Sequence, residues 1–208
     1  MPRKSADDRK AEILTVTLRL ADELGPDRLT TQAIADAIGI SQPAIFRHFP
    51  SKTALWLGLA ERISGMLSAE WQRLLAQEAT PRDRLAALLH VQLRQIEANP
   101  AIPAILHSRE LHAENAELRA AFVAVMGRFQ ALLVAELQRG RDLGLFRADL
   151  APADGATLLI SLVQGLALRW SLGRRGFSLV EEGGRLIELE LDLMGAATGA
   201  ETSKGGPQ

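Results

Sequence analysis

The stretch Ser41 to Lys52, SQPAIFRHFPSK, places polar donors on one side of a short helix and apolar anchors on the other. Ile45 and Phe49 are four apart, so they share a helical face. Gln42, Ala44, Phe46, Arg47 and His48 then point away from it, with Pro43 at the exposed front. Amide, guanidinium and imidazole groups on the free side of an anchored helix suit insertion into the major groove of DNA. No acid occurs from Ala37 through Ala60, whereas Arg47, His48 and Lys52 all fall in that span. Residues 1–52 carry eight Lys or Arg against seven Asp or Glu, so the charge informs only through its placement. Arg3, Lys4, Arg9 and Lys10 add a basic arm, and together these groups make an electropositive edge of the kind that meets phosphates.

Other chemistry finds little support. The absence of Cys removes disulfides, thiolate metal sites and Cys nucleophiles together. His107, Glu110 and His112 resemble a metal set on paper, but on a helix His112 lies five positions from His107 and is turned off its face. This is not the H-E-x-x-H arrangement. Neither a Gly-rich phosphate loop nor a nucleophile elbow is present. The chain therefore reads as a non-enzyme with no cofactor and no metal.

The elements that must position these residues are helical almost throughout. With 208 residues, 47% of them hydrophobic, the chain can bury a sizeable core. Leu and Ala recur at helical spacing, and strand formers are sparse. The sequence predicts an all-α fold of about nine helices, the first three forming a helix-turn-helix unit. They run from about 9 to 24, from Thr31 to Gly39, and from Gln42 to Phe49. Gly39-Ile40-Ser41 has the length and composition of a helix-turn-helix connection. Pro43 falls in the first turn of the third helix, where a missing N–H costs nothing.

A fourth helix is expected from Lys52 to about 76. Others follow from Thr80-Pro81 to about 98, over about 103–112, 114–143 and 152–172, and from Ser178 to about 196. The last is the least regular, because Gly183-Gly184 lowers helix propensity and 188–193 alternates like a strand. The domain reading is a disordered basic arm (1–8), a DNA-binding unit (9–51), a helical ligand-binding and dimerisation unit (52–198) and a disordered tail (199–208). The charged amino terminus is unlike a signal peptide. The apolar run 156–172 contains Gln164 and Arg169 and is short for a span. A cytoplasmic location without membrane contact is expected.

The segment LTTQAIADAIGISQPAIFRHFPSKTALW resembles the signature of the TetR family of bacterial transcriptional regulators. The resemblance covers about residues 9–60. Beyond it only the helical layout is similar, including the Gly-Leu-Phe-Arg-Ala-Asp-Leu lead-in at 144–150. It implies a DNA-binding role for Thr31, Gln32, Ser41, Gln42, Pro43, Ala44, Phe46, Arg47, His48 and Lys52. Thr31 and Gln32 would touch phosphate and a base edge. Gln42, Pro43 and Ala44 would face bases, His48 and Lys52 would hold phosphates, and Arg47 could do either. Phe46 departs from the family's usual Tyr and cannot donate a hydrogen bond.

Two-fold symmetry would double the contact with a palindromic DNA operator. The resemblance implies a homodimer built on the last two helices, with Leu158, Leu162, Gly165, Leu166, Leu186 and Leu193 at the contact. It also implies a pocket enclosed by helices four to eight. His90, Gln92, His107, Arg109, Phe122, Phe129, Gln130, Gln164 and Trp170 are its candidate lining. The expected function is a repressor released from its operator by a small, largely apolar ligand. The alternative is a DNA-bound factor that recruits or blocks a partner protein without an inducer.

Overall fold

The computed structural model describes residues 5–196. Among them it contains ten α-helices and no strand beyond one isolated bridge. Helix α1 (Ala6–Leu24) starts earlier than the sequence suggested. The Ser5 hydroxyl accepts from the Asp8 N–H at 3.0 Å, and the Asp8 carboxylate accepts from the Ser5 N–H at 3.3 Å. This capping box makes residues 6–8 a first helical turn rather than part of a disordered arm. Residues 1–4, with Arg3 and Lys4, lie outside the described residues, as does the 199–208 tail.

Helix α2 (Thr31–Ile38) is capped by Thr30 and ends at Gly39, whose φ of 76° is the left-handed conformation that glycine allows. Helix α3 (Gln42–Phe46) is shorter than the predicted 42–49. The chain tightens after it, with the His48 N–H bonded to the Ile45 carbonyl at 2.9 Å. Phe49 precedes a proline, and proline disfavours helix at the position before it. Ser51 then caps α4 (Lys52–Leu75), which is shared by the amino-terminal helices and the rest of the molecule.

The remaining helices are α5 (Pro81–Ala98), α6 (Ala101–His107), α7 (Arg109–Glu114), α8 (Ala116–Asp142), α9 (Pro152–Leu172) and α10 (Leu179–Met194). One short helix was expected near 103–112, and there are two. Ser108 adopts an extended conformation between them, and its hydroxyl caps the Leu111 N–H at 3.0 Å. Helix α10 is regular in spite of its glycine pair. A Cβ on Gly183 would meet Leu93 Cδ1 at 2.6 Å, and one on Gly184 would meet His90 Nε2 at 2.7 Å. The glycines let α10 approach α5 closely.

Polar contacts fix this antiparallel pair at both ends. Glu97 of α5 accepts from the Leu179 N–H at 2.7 Å, where the helix N-terminus favours an anion. Arg82 binds Asp192 at 2.5 Å and Glu188 at 2.9 Å. Helices α8 and α9 pack together beside this pair. Glu136 of α8 is buried, and it is compensated by Arg139 and by Arg84 at 3.9 Å. After α8, Phe146 bridges to Gly195, and its buried ring occupies the space a side chain at Gly140 would fill.

Gly140 and Gly127 both lie on α8, yet only Gly140 faces a ring. Gly140→Ala should destabilise by about 1–3 kcal/mol through overpacking. Gly127→Ala, in open space, should stabilise by roughly 0.5–1 kcal/mol. Chemical denaturation of the two variants checks the opposite signs.

Candidate nucleic-acid interface and internal cavity

Helices α1–α3 pack around a small core in which Ile13, Leu29, Ile34 and Ile45 are fully buried. Phe49 is buried as well, and its ring crosses Gly58 of α4 so closely that a Cβ there would lie 2.7 Å from Cε1. These anchors leave the other side of α3 open. Ser41, Pro43, Arg47 and Lys52 are exposed, and Ala44 and His48 are half-buried. Ser41 starts α3 through its backbone, with its side chain unbonded. Phe46 is 39% exposed, an unusual position for an aromatic ring.

Gln42 and Thr31 are brought together. The Gln42 Nε2 donates to the Thr31 Oγ1 at 2.8 Å, joining α3 to the start of α2. Gln42 keeps its carbonyl and a second N–H, and the buried Thr31 keeps its own O–H. Gln32 is engaged elsewhere, donating to Asp36 at 2.6 Å along α2. Among the described residues Arg47, His48 and Lys52 have no anionic partner, so their donors are free to meet one.

The amino-terminal unit is tied to the remainder at several points. Arg62 of α4 donates to the Ala11 carbonyl and to Thr15 Oγ1, both at 2.9 Å. Thr53 donates to Asn115 at 2.7 Å, and Ser108 donates to Asp27. In the turn after α9, Arg174 and Arg175 take φ values of 53° and 61°. Arg175 lies over the Trp170 ring and pairs with Asp22 of α1.

A cavity of about 110 Å³ lies among α4, α5, α6, α8 and α9. Of the residues singled out from sequence, Gln92, Phe122, Phe129 and Gln164 line it. The other five are elsewhere. His90 faces α10, with Nδ1 2.7 Å from the Ala86 carbonyl. Gln130 reaches Thr157 at 3.5 Å between α8 and α9. Trp170 is buried, but its indole donates to the Phe177 carbonyl at 3.0 Å. His107 and Arg109 border a separate open crevice with His112 and Arg119.

Sequence reasoning missed most of the cavity wall, including Ile63, Leu67 and Trp71 of α4 and Ile102 and Leu106 of α6. Trp71 stacks on Phe129 with centroids 5.1 Å apart. Apolar residues at helical spacing look the same whether they fill a core or border a hole, so no sequence signal separates them.

Helices α9 and α10 leave apolar residues uncovered. Leu158 is 53% exposed, Leu172 77% and Leu193 65%, with Gly165, Leu168 and Leu189 also open. Leu162 and Leu186 are half-buried. Leu166 corrects the sequence reading, because it points into its own chain and is buried there. One residue along a helix is a rotation of about 100°, enough to part Leu166 from Gly165.

Residues 13–59 match the family model for bacterial regulatory proteins of the tetR family, and residues 81–188 match that for the BetI-type transcriptional repressor C-terminal region. The chain is 30% identical over 181 residues to nucleoid occlusion factor SlmA of Actinobacillus pleuropneumoniae, covering 86% of this chain and 87% of that protein. In fold it is similar to the ketosteroid transcriptional regulator KstR2 of Mycobacterium tuberculosis, with a TM-score of 0.76 and 21% identity over 93% of this chain and 97% of that one. A transcriptional regulator from Saccharomonospora viridis, solved with choline, has a TM-score of 0.79 at 23% identity, covering 89% of this chain and 96% of the other. At these identities the structural matches speak for the fold alone.

Proposed function

Since the chain belongs to the TetR family and is a DNA-binding regulator with a helix-turn-helix, we propose that it binds a palindromic operator as a homodimer, represses transcription there, and is released when a small molecule enters the cavity. In this reading residues 9–51 with the first turn of α1 form the DNA-reading unit. Residues 52–198 hold the ligand and the partner copy, in the cytoplasm. The observation that carries the proposal is α4 itself. It begins at Lys52, seats Phe49 at Gly58, and borders the cavity with Ile63, Leu67 and Trp71. Helix α6 gives a second route, since Ile102 and Leu106 line the cavity while the following Ser108 bonds Asp27 beside α2. A ligand acts through its differential affinity for the two spacings of the reading heads.

At the DNA surface, Gln42 has the free carbonyl and N–H that pair with an adenine edge, while Thr31 holds it from behind. Pro43 and Ala44 would meet thymine methyls. Thr31, Arg47, His48 and Lys52 would hold phosphates, with Ser41 and the Phe46 ring against the sugar edge and Gln32 at the flank. The uncovered leucines of α9 and α10 would face the partner copy in a four-helix contact.

A second reading draws on the nucleoid occlusion relatives. In it the same DNA-binding dimer carries a partner protein and needs no inducer. Mapping bound sites across a genome separates the two, because a regulator's sites lie at promoters.

Selection from random duplexes should return an inverted repeat. On that sequence Gln42→Ala should cost about 1–3 kcal/mol of discrimination against other bases. Lys52→Ala should weaken binding on all sequences and lower the salt slope by about one. Fluorescence anisotropy at several salt concentrations reads both, and equal losses on specific and random DNA would overturn the assigned roles.

Leu158→Glu combined with Leu193→Glu should convert the dimer to a monomer in sedimentation with helicity unchanged, because both side chains are exposed in the single chain. A persistent dimer would remove this interface.

A further inference from the structure

We infer that the cavity takes a neutral, ring-sized molecule bearing a hydrogen-bond acceptor, and rejects carboxylates and amines. The inference rests on the reading of this cavity as the ligand site and adds the class of ligand. Its wall is apolar except at three side chains on three different helices: Trp71 of α4, Gln92 of α5 and Gln164 of α9. The Trp71 Nε1 is buried and has no hydrogen-bond partner. Among the described residues neither glutamine amide has one either. Buried polar groups are normally paired, and each unpaired one carries a desolvation cost. Trp71 is the buried one of the three, and the two half-buried amides on the same wall leave hydrogen-bonding capacity for a bound molecule.

Their chemistry narrows its identity. An indole N–H only donates, so the molecule must offer an acceptor, and the amides can donate to it or accept from a hydroxyl. Among the described residues no Lys, Arg, His, Asp or Glu contributes to the wall. A carboxylate or ammonium would enter without a counter-charge, which the low-dielectric interior penalises heavily. Size sets the second limit. An apolar cavity of about 150 Å³ in another protein's core binds benzene, so the 110 Å³ here suits a single ring. Phe122, Phe129 and Trp71 supply aromatic faces for it, and Met126, which is 37% exposed, marks where a substituent could extend towards solvent.

Four probes of nearly one shape test this on the purified full chain without DNA, by calorimetry at neutral pH: acetophenone, ethylbenzene, benzoate and benzylamine. Acetophenone should bind about tenfold tighter than ethylbenzene, the worth of one hydrogen bond. Benzoate and benzylamine should bind on the order of a hundredfold more weakly than acetophenone. In Trp71→Phe/Gln164→Leu the acetophenone preference should fall to near unity while ethylbenzene still binds, which also shows that the cavity has kept its shape. Charged probes binding within about threefold of acetophenone, a difference below 1 kcal/mol, would overturn the inference. So would equal affinity of acetophenone and ethylbenzene for the unaltered chain, or no binding by any probe. Operator release is then measured separately. Acetophenone that binds in the expected order but leaves the operator complex intact supports the ligand class and removes the release mechanism.

Discussion

The seating of Phe49 on Gly58 is the contact on which the working parts of this molecule depend. The ring that follows the reading helix lies there so close to α4 that a Cβ at position 58 would fall 2.7 Å from Cε1. Any larger residue at 58 would push the ring away, and α3 would lose its second anchor. Because Ile45 is also fully buried, α3 has no freedom to rotate on its own. Its orientation is inherited from α4, and α4 runs on for several turns to form one wall of the cavity. In the proposed mechanism a change in packing around Ile63, Leu67 or Trp71 would reach the reading surface through this one helix.

The amino-terminal unit is held by more than this one helix. Asp22 and Asp27 each bond a segment of the larger part of the chain, through Arg175 and Ser108, and Thr53 at the start of α4 bonds Asn115. Two of those segments adjoin elements with other duties. Ser108 follows the helix that carries Ile102 and Leu106 into the cavity. Arg175 belongs to the turn between the two helices with uncovered leucines, and it holds a left-handed backbone that non-glycine residues seldom adopt. The DNA-reading unit thus has physical connections to both the hole and the outer leucine face.

Local punctuation made the first half of the fold legible. Gly39 and Pro43 act through their own backbones and Ser51 through its hydroxyl, and each marks in the structure the boundary it marks in the sequence, whereas α3 ends at Phe46, short of Pro50. Thr80 with Asp83 likewise opens α5, as a cap with a first-turn acid should. The Ser5 and Asp8 box was visible but lay in a run of charges that reads as a frayed arm. The break at Ser108 was not visible, because it follows from packing under α1 and α8 rather than from a Gly or Pro. The division of apolar residues among core, cavity and outer face was hidden for a related reason. Leu166 and Leu162 have the same chemistry and differ only in azimuth, and azimuth is fixed by neighbours distant in sequence. Polar residues were no easier, since His90, Gln130 and Trp170 all found partners inside the protein.

The bond from Gln42 to Thr31 has a consequence for the thermodynamics of recognition. A free glutamine side chain gives up roughly 1.5–2 kcal/mol of rotamer entropy when it is fixed. Here that ordering is completed as the chain folds, since one N–H is already held at 2.8 Å by a buried hydroxyl. Whatever Gln42 then meets through its remaining donor and acceptor finds the side chain already oriented, so swinging the amide aside to accommodate a mismatch must also break the bond to Thr31.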